Sequence, residues 1–246
     1  MSTSAPSSGA TPSTATPHAL LLAVFIAAIF ASAALLFVVQ PMFTKMVLPR
    51  LGGAAAVWSV AMVFFQTTLL AGYAYAHALT RFASGRASIL IHLAVMAIAC
   101  LALPLHIATG WGRPPAEGEA FWLLGLFAVS IGLPFFALAA NGPLLQAWFV
   151  RTDHPAAKDP YFLYAASNVG SFLALLSYPV MIEPLVRLGD QTLFWTIGFY
   201  VLILLIAACG ALLLRSPNRL ADAKTTGLDE AIAPSRRDIA IWVALA

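Results

Sequence analysis

Two rows of polar side chains are the residues whose type and spacing could do chemistry in this sequence. Ser59, Gln66 and Tyr73 recur every seven residues and His77 follows four further on, so the four share one face of a helix. Tyr164, Asn168, Ser171 and Tyr178 form a second row, interleaved with Ala166, Gly170 and Ala174. Hydroxyl, amide and phenol groups arranged in this way hydrogen-bond a polar solute, or they tie one helix to another where small residues let the backbones approach. Both rows are therefore expected to face protein or a wet cavity, and together they make the candidate polar surface. Glu183 and His77 are the nearest candidates for a proton relay, and both fall at helix ends.

Other chemistry is poorly supplied. Serines and histidines stand in no nucleophile-and-base arrangement, so no catalytic residue is expected. His18, His92, His106 and His154 are scattered without the partners that a metal site needs. Cys100 and Cys209 lie inside apolar runs and read as small core hydrophobes. Gly52-Gly53 is too short to cradle a nucleotide phosphate and reads as a turn before an apolar helix. No cofactor is expected.

The elements that must carry the two rows follow from composition. Of 246 residues, 61% are hydrophobic and 9% charged, against about 25% charged in an ordinary soluble domain. The 13 basic and 10 acidic side chains leave a net charge of only +3, which is no basic surface for nucleic acid. Apolar runs long enough to cross a bilayer fall at about 19–39, 54–76, 88–107, 121–140, 161–182 and 193–214. The fold class is all-α, a polytopic transmembrane bundle of six spans whose solvent partner is lipid.

Residues 1–18 carry no charge and read as a disordered tail. Gln40-Pro41 is expected to close the first span, because proline removes a ladder hydrogen bond. Pro134 and Asn141-Gly142-Pro143 are expected to interrupt the fourth span twice, before an amphipathic turn over 144–150. Trp111, Trp122, Trp148 and Tyr161, near span ends, suit anchoring at headgroup level. Residues 215–238 read as a basic cytoplasmic loop, and 239–246 as the start of a seventh span that is cut off, which marks the N-terminal piece of a longer protein. With the N-terminus inside, nine Lys and Arg fall on the inner side and four on the outer. That excess orients the tail toward the cytoplasm. All 23 Asp, Glu, Lys and Arg side chains fall in loops or at helix ends, so no span carries a buried ion pair.

The segment 77–86, His-Ala-Leu-Thr-Arg-Phe-Ala-Ser-Gly-Arg, read as an inner loop, distantly resembles the Gly-xxx-Asp-Arg-x-Gly-Arg loop of major-facilitator transporters. It lacks the first Gly and the Asp. With six spans and a long basic loop, it resembles the first half of a major-facilitator fold. Longer runs point more narrowly: Ala-Ala-Leu-Leu-Phe-Val-Val-Gln-Pro-Met-Phe-Thr-Lys at 33–45, the segment 48–58, Val-Phe-Phe-Gln at 63–66, Gly-Leu-Pro-Phe-Phe at 132–136, Asn-Gly-Pro-Leu-Leu-Gln-Ala-Trp-Phe at 141–149, and Asp-Pro-Tyr-Phe-Leu-Tyr-Ala-Ala-Ser-Asn-Val-Gly-Ser at 159–171. These resemble the membrane portion of bacterial fused major-facilitator/spermidine-synthase-like proteins, over about residues 19–214.

The resemblance implies a bacterial inner-membrane module paired with a soluble C-terminal aminopropyltransferase domain, which would transfer an aminopropyl group from decarboxylated S-adenosylmethionine to a diamine. That domain, with its Gly-rich loop and catalytic acid, is absent from these 246 residues, so no catalytic residue is carried over. A second expectation from the polar rows is a transporter-like bundle for an amine or another small solute.

Overall fold

The computed structural model describes residues 15–51, 55–112, 114–115 and 117–215. Residues 1–14 of the tail, the Gly52-Gly53 turn, Arg113, the basic loop from 216 onward and the start of a seventh span lie outside the described residues. Among the described residues every regular element is helical. Helix α1 is Ala15–Val47, α2 is Ala56–Phe82, α3 is Gly85–Ala99, α4 is Glu119–Phe127, α5 is Leu133–Val150, α6 is Tyr161–Ser177, α7 is Glu183–Leu185 and α8 is Leu188–Arg215. A π-helical turn, Ala128–Gly132, joins α4 to α5, and a second, Tyr178–Ile182, joins α6 to α7.

Among the described residues six continuous helices are long and apolar enough to cross a bilayer: His18–Arg50, Ala56–Phe82, Gly85–Ala102, Glu119–Val150, Tyr161–Leu185 and Leu188–Arg215. They are spans 1 to 6 below. By the length and composition of its helices the chain is a membrane protein.

Several expected boundaries move. The helix of span 1 takes in Ala15–His18, so the last four residues of the expected tail are helical. Pro41 does not close it, because the helix runs on to Val47. Side chains supply extra hydrogen bonds around the proline: Gln40 Nε2 donates to the Leu36 carbonyl at 3.2 Å, and Thr44 Oγ1 to that of Gln40 at 2.7 Å. Within a bundle, such groups and close neighbours offset the missing N–H.

Span 4 is interrupted once rather than twice. The π-turn ends two residues before Pro134, and its wider winding takes up the ring that a tight α-turn would clash with. At Asn141-Gly142-Pro143 the α-helix simply continues to Val150, so 144–150 is the end of the span and no separate turn. The expected inner loop at 77–86 shrinks to Ala83 and Ser84, with Ser84 Oγ capping α3 through the Ala87 N–H at 3.3 Å.

Helical structure in span 3 ends at Ala102, not at 107. The chain after it folds back over span 4, where the Ala108 N–H donates to Ser130 Oγ at 2.9 Å and the Trp111 ring lies on Gly125.

Packing places span 1 against spans 4, 5 and 6, and span 4 against spans 1, 2 and 3, with span 3 also on span 6. Exchange of the first three spans with the last three carries the pairs 2–4 and 3–4 into the pairs 5–1 and 6–1. The two flanking contacts use the same device. A Cβ at Gly72 of span 2 would stand 2.6 Å from Ala139 Cβ of span 4, and one at Gly170 of span 5 would stand 2.6 Å from the Phe30 carbonyl oxygen of span 1. Only a glycine permits either approach. Phe43, Phe64, Phe65, Phe127 and Phe135 fill the centre with ring contacts 4.7–5.6 Å apart. Span 4 is the most enclosed, with 61% of its apolar window buried against 17% in span 5.

Candidate intramembrane polar site

The two expected polar rows do not converge inside the bundle. On span 2 the packing face is Ala61, Phe65, Gly72 and Ala76, all buried. Ser59, Gln66, Tyr73 and His77 turn away from it and are exposed on the surface of the bundle. On span 5, Gly170 takes the contact with span 1 and Ala174 is buried, whereas Tyr164 and Asn168 are exposed. Ser171 is half-buried and donates to the Asn168 carbonyl of its own helix at 3.0 Å, not across the seam. Tyr178 alone is buried, and its hydroxyl donates to Gln191 Oε1 of span 6 at 3.3 Å. The small-residue seam and the polar row thus occupy different faces of span 5.

Glu183 pairs with Lys45 at 2.5 Å, joining the far ends of spans 1 and 5, and each side chain is 41% exposed. This is a tether at the bundle edge. His77 is exposed near the opposite end. Trp148 is no headgroup anchor: it is fully buried and donates from Nε1 to Ser88 Oγ at 3.0 Å. Trp111 and Trp122 are half-buried and pack edge to face at 5.7 Å, while Tyr161 is exposed.

A polar cluster forms where spans 2, 3 and 4 meet. Ser88 and His92 lie one turn apart on α3, and Asn141 and Trp148 two turns apart on α5, so each pair shares a helical face. His92 Nε2–H donates to Asn141 Oδ1 at 2.7 Å, and neither residue has exposed surface. The Tyr75 ring, from span 2, lies 6.0 Å from the His92 ring, and the Trp148 indole meets His92 edge-on at 6.2 Å. Tyr75 Oη, His92 Nδ1 and Asn141 Nδ2 are buried without a hydrogen-bond partner. The cluster holds one imidazole, one amide, one indole and two hydroxyls, with no carboxylate, lysine or arginine, and its chemistry is the exchange of hydrogen bonds.

His92 and Asn141 stand far apart in the sequence, and nothing in their local spacing pairs them. A count restricted to Asp, Glu, Lys and Arg leaves out histidine, although His92 stood inside an expected span, where an ionisable side chain is informative. Asn141 was placed beyond the end of its helix. The spacings Ser88 to His92 and Asn141 to Trp148 were the signal.

At the end of the bundle that carries His18, the loop after span 4 is pinned to two neighbours. Arg151 Nη2 donates to the Thr80 carbonyl of span 2 at 2.8 Å, and burial lowers the guanidinium below its ordinary value. The His154 ring packs edge-on against His18 at 5.4 Å, and its Nδ1 accepts from the Ala156 N–H at 3.1 Å. Burial first, and then the neighbouring His18, hold His154 below the ordinary imidazole range. Among the described residues no three His, Cys, Asp or Glu side chains gather as a metal site would require.

Among the described residues, fold and site together define an α-helical membrane bundle of six spans with a buried polar cluster. No family model, curated protein or solved structure matches the chain.

Proposed function

We propose that this chain is the integral-membrane module of a spermidine-synthase-like protein of the bacterial inner membrane, with its N-terminus in the cytoplasm and a soluble aminopropyltransferase-like domain as its partner. The reading rests on the residue runs at 33–45, 132–136, 141–149 and 159–171, and on one feature of the packing. Gly72 of span 2 meets span 4 as Gly170 of span 5 meets span 1. That exchange supports an inverted three-plus-three repeat, the plan of one half of a major-facilitator bundle. The helices then anchor the enzyme or serve it from the bilayer, and the chemistry belongs to the soluble partner.

The test is the native reading frame in its own membrane. Membranes that contain its product are expected to transfer an aminopropyl group from decarboxylated S-adenosylmethionine to putrescine. A reading frame that encodes no Gly-rich soluble module, or membranes no more active than an empty-vector control, would reject the proposal.

A second reading, a transporter-like bundle for an amine or other small solute, is favoured by Gln66 and Asn168, which are exposed within spans 2 and 5. An amide left against hydrocarbon is costly, so this surface calls for a wet path or a protein cover. Gln66→Leu or Asn168→Leu should then reduce solute uptake into proteoliposomes without lowering the amount of folded protein. Unchanged uptake in both variants rejects the transporter.

A further inference from the structure

Between spans 1, 5 and 6 an apolar groove of about 240 Å³ opens on the side of the bundle. Its walls include Ala34 and Val38 of span 1, Ile182 and Val186 of span 5, and Phe194 and Trp195 of span 6. The Phe194 ring is exposed, which puts the mouth on the surface that lipid wets. The polar side chains of the lining are already spent. Gln191 Nε2 donates to the Val186 carbonyl at 2.8 Å and the Ile182 carbonyl at 3.4 Å, and its Oε1 accepts from the Tyr178 hydroxyl. Trp195 Nε1 donates to the Leu35 carbonyl at 3.0 Å. Polar side chains satisfied in this way leave water little to bond, so the groove suits hydrocarbon.

One end of the groove is charged. Lys45 stands seven residues beyond Val38 on the same face of α1, about 10 Å further along the axis. It pairs with Glu183, whose neighbour Ile182 belongs to another wall of the groove. Arg187 and Asp190 fall in the chain between Val186 and Gln191 of the lining, and both are exposed. Among the described residues neither makes an ion pair. Lys45, Glu183, Arg187 and Asp190 sum to no net charge, yet Arg187 and Asp190 present both signs three residues apart. A guanidinium beside a carboxylate complements a headgroup that holds one phosphate and one ammonium.

We propose that the groove binds one phospholipid of the phosphatidylethanolamine type, with an acyl chain between spans 1, 5 and 6, its phosphate at Arg187 and its ammonium at Asp190. The apolar walls select a chain from the bilayer, and the charged end selects a zwitterionic headgroup over an anionic one, which Asp190 and Glu183 would repel. The site goes beyond the proposed function and requires only the folded bundle.

The test is native mass spectrometry of the full chain in detergent, titrated with phosphatidylethanolamine or with phosphatidylglycerol. The wild-type chain is expected to retain one phosphatidylethanolamine and to bind phosphatidylglycerol more weakly. Val38→Phe, which fills the groove, should abolish retention, and Arg187→Gln should weaken it about fivefold. The proposal is overturned if the wild-type chain retains no phosphatidylethanolamine, if phosphatidylglycerol binds as well, or if either variant binds as the wild type does. A dimer that Val38→Phe dissociates would also overturn it, by assigning the groove to a second copy of the chain. Should Val38→Phe fail to fold, Arg187→Gln, at an exposed position, decides alone.

Discussion

A methyl group added at Gly170 would stand 2.6 Å from the Phe30 carbonyl oxygen, and backbone on both sides leaves nothing soft to move. Gly170→Val should therefore lose about 1–3 kcal/mol of stability, read as a lower midpoint in detergent unfolding. Gly189→Ala is the control, since a Cβ there meets nothing within 4 Å. It should stay within about 0.5 kcal/mol of the parent. At the buried cluster, Asn141→Leu removes the acceptor for His92 Nε2–H and strands a donor, which should cost about 1–3 kcal/mol. The double variant Asn141→Leu/His92→Phe should regain part of that loss, because two apolar side chains strand nothing at this bond. Strictly additive penalties in the double-mutant cycle would show that the two side chains do not interact.

Between residue and bundle, the helices owe their continuity to devices that act over one turn. A π-turn ahead of Pro134 keeps span 4 in one piece, and a second, containing Pro179, does so for span 5. The loop after span 4 ties such an element to pH. The folded state holds His154 below its ordinary value, burial first and His18 second, so it favours the neutral ring. The stability this brings is full above the unfolded value of about 6.5 and is lost as pH falls below it toward the folded value. Melting temperature in detergent should accordingly drop on acidification below about pH 6.5, and His154→Gln should flatten that drop. An identical acid profile in the variant would place the sensitivity elsewhere.

Across the whole bundle, lipid-facing surface dominates, with Met62, Leu70, Phe121, Phe172 and Leu204 among the large exposed apolar side chains. The chain should remain with membranes through alkaline carbonate extraction and need detergent to leave them; release into plain buffer would contradict the six-span reading. The Lys45–Glu183 tether joins residues 138 positions apart, yet both ends are partly exposed. Glu183→Gln should therefore shift stability by less than about 1 kcal/mol, in contrast to Gly170→Val.

The amino-acid sequence by itself determined that the chain is helical and built for lipid, and roughly where the six spans of the described residues lie, because uninterrupted apolar length is a local property that burial in a bilayer reads directly. It also marked Gly170 and Ala174 as a packing seam. Only the tertiary structure decided that Gln66 and Asn168 point outward, that Pro41 and Pro143 lie within continuous helix, that Trp148 is core, and that His92 meets Asn141 from 49 residues away. Those outcomes depend on which face of each helix finds a neighbour, and a helical period defines faces without saying which of them another span will cover.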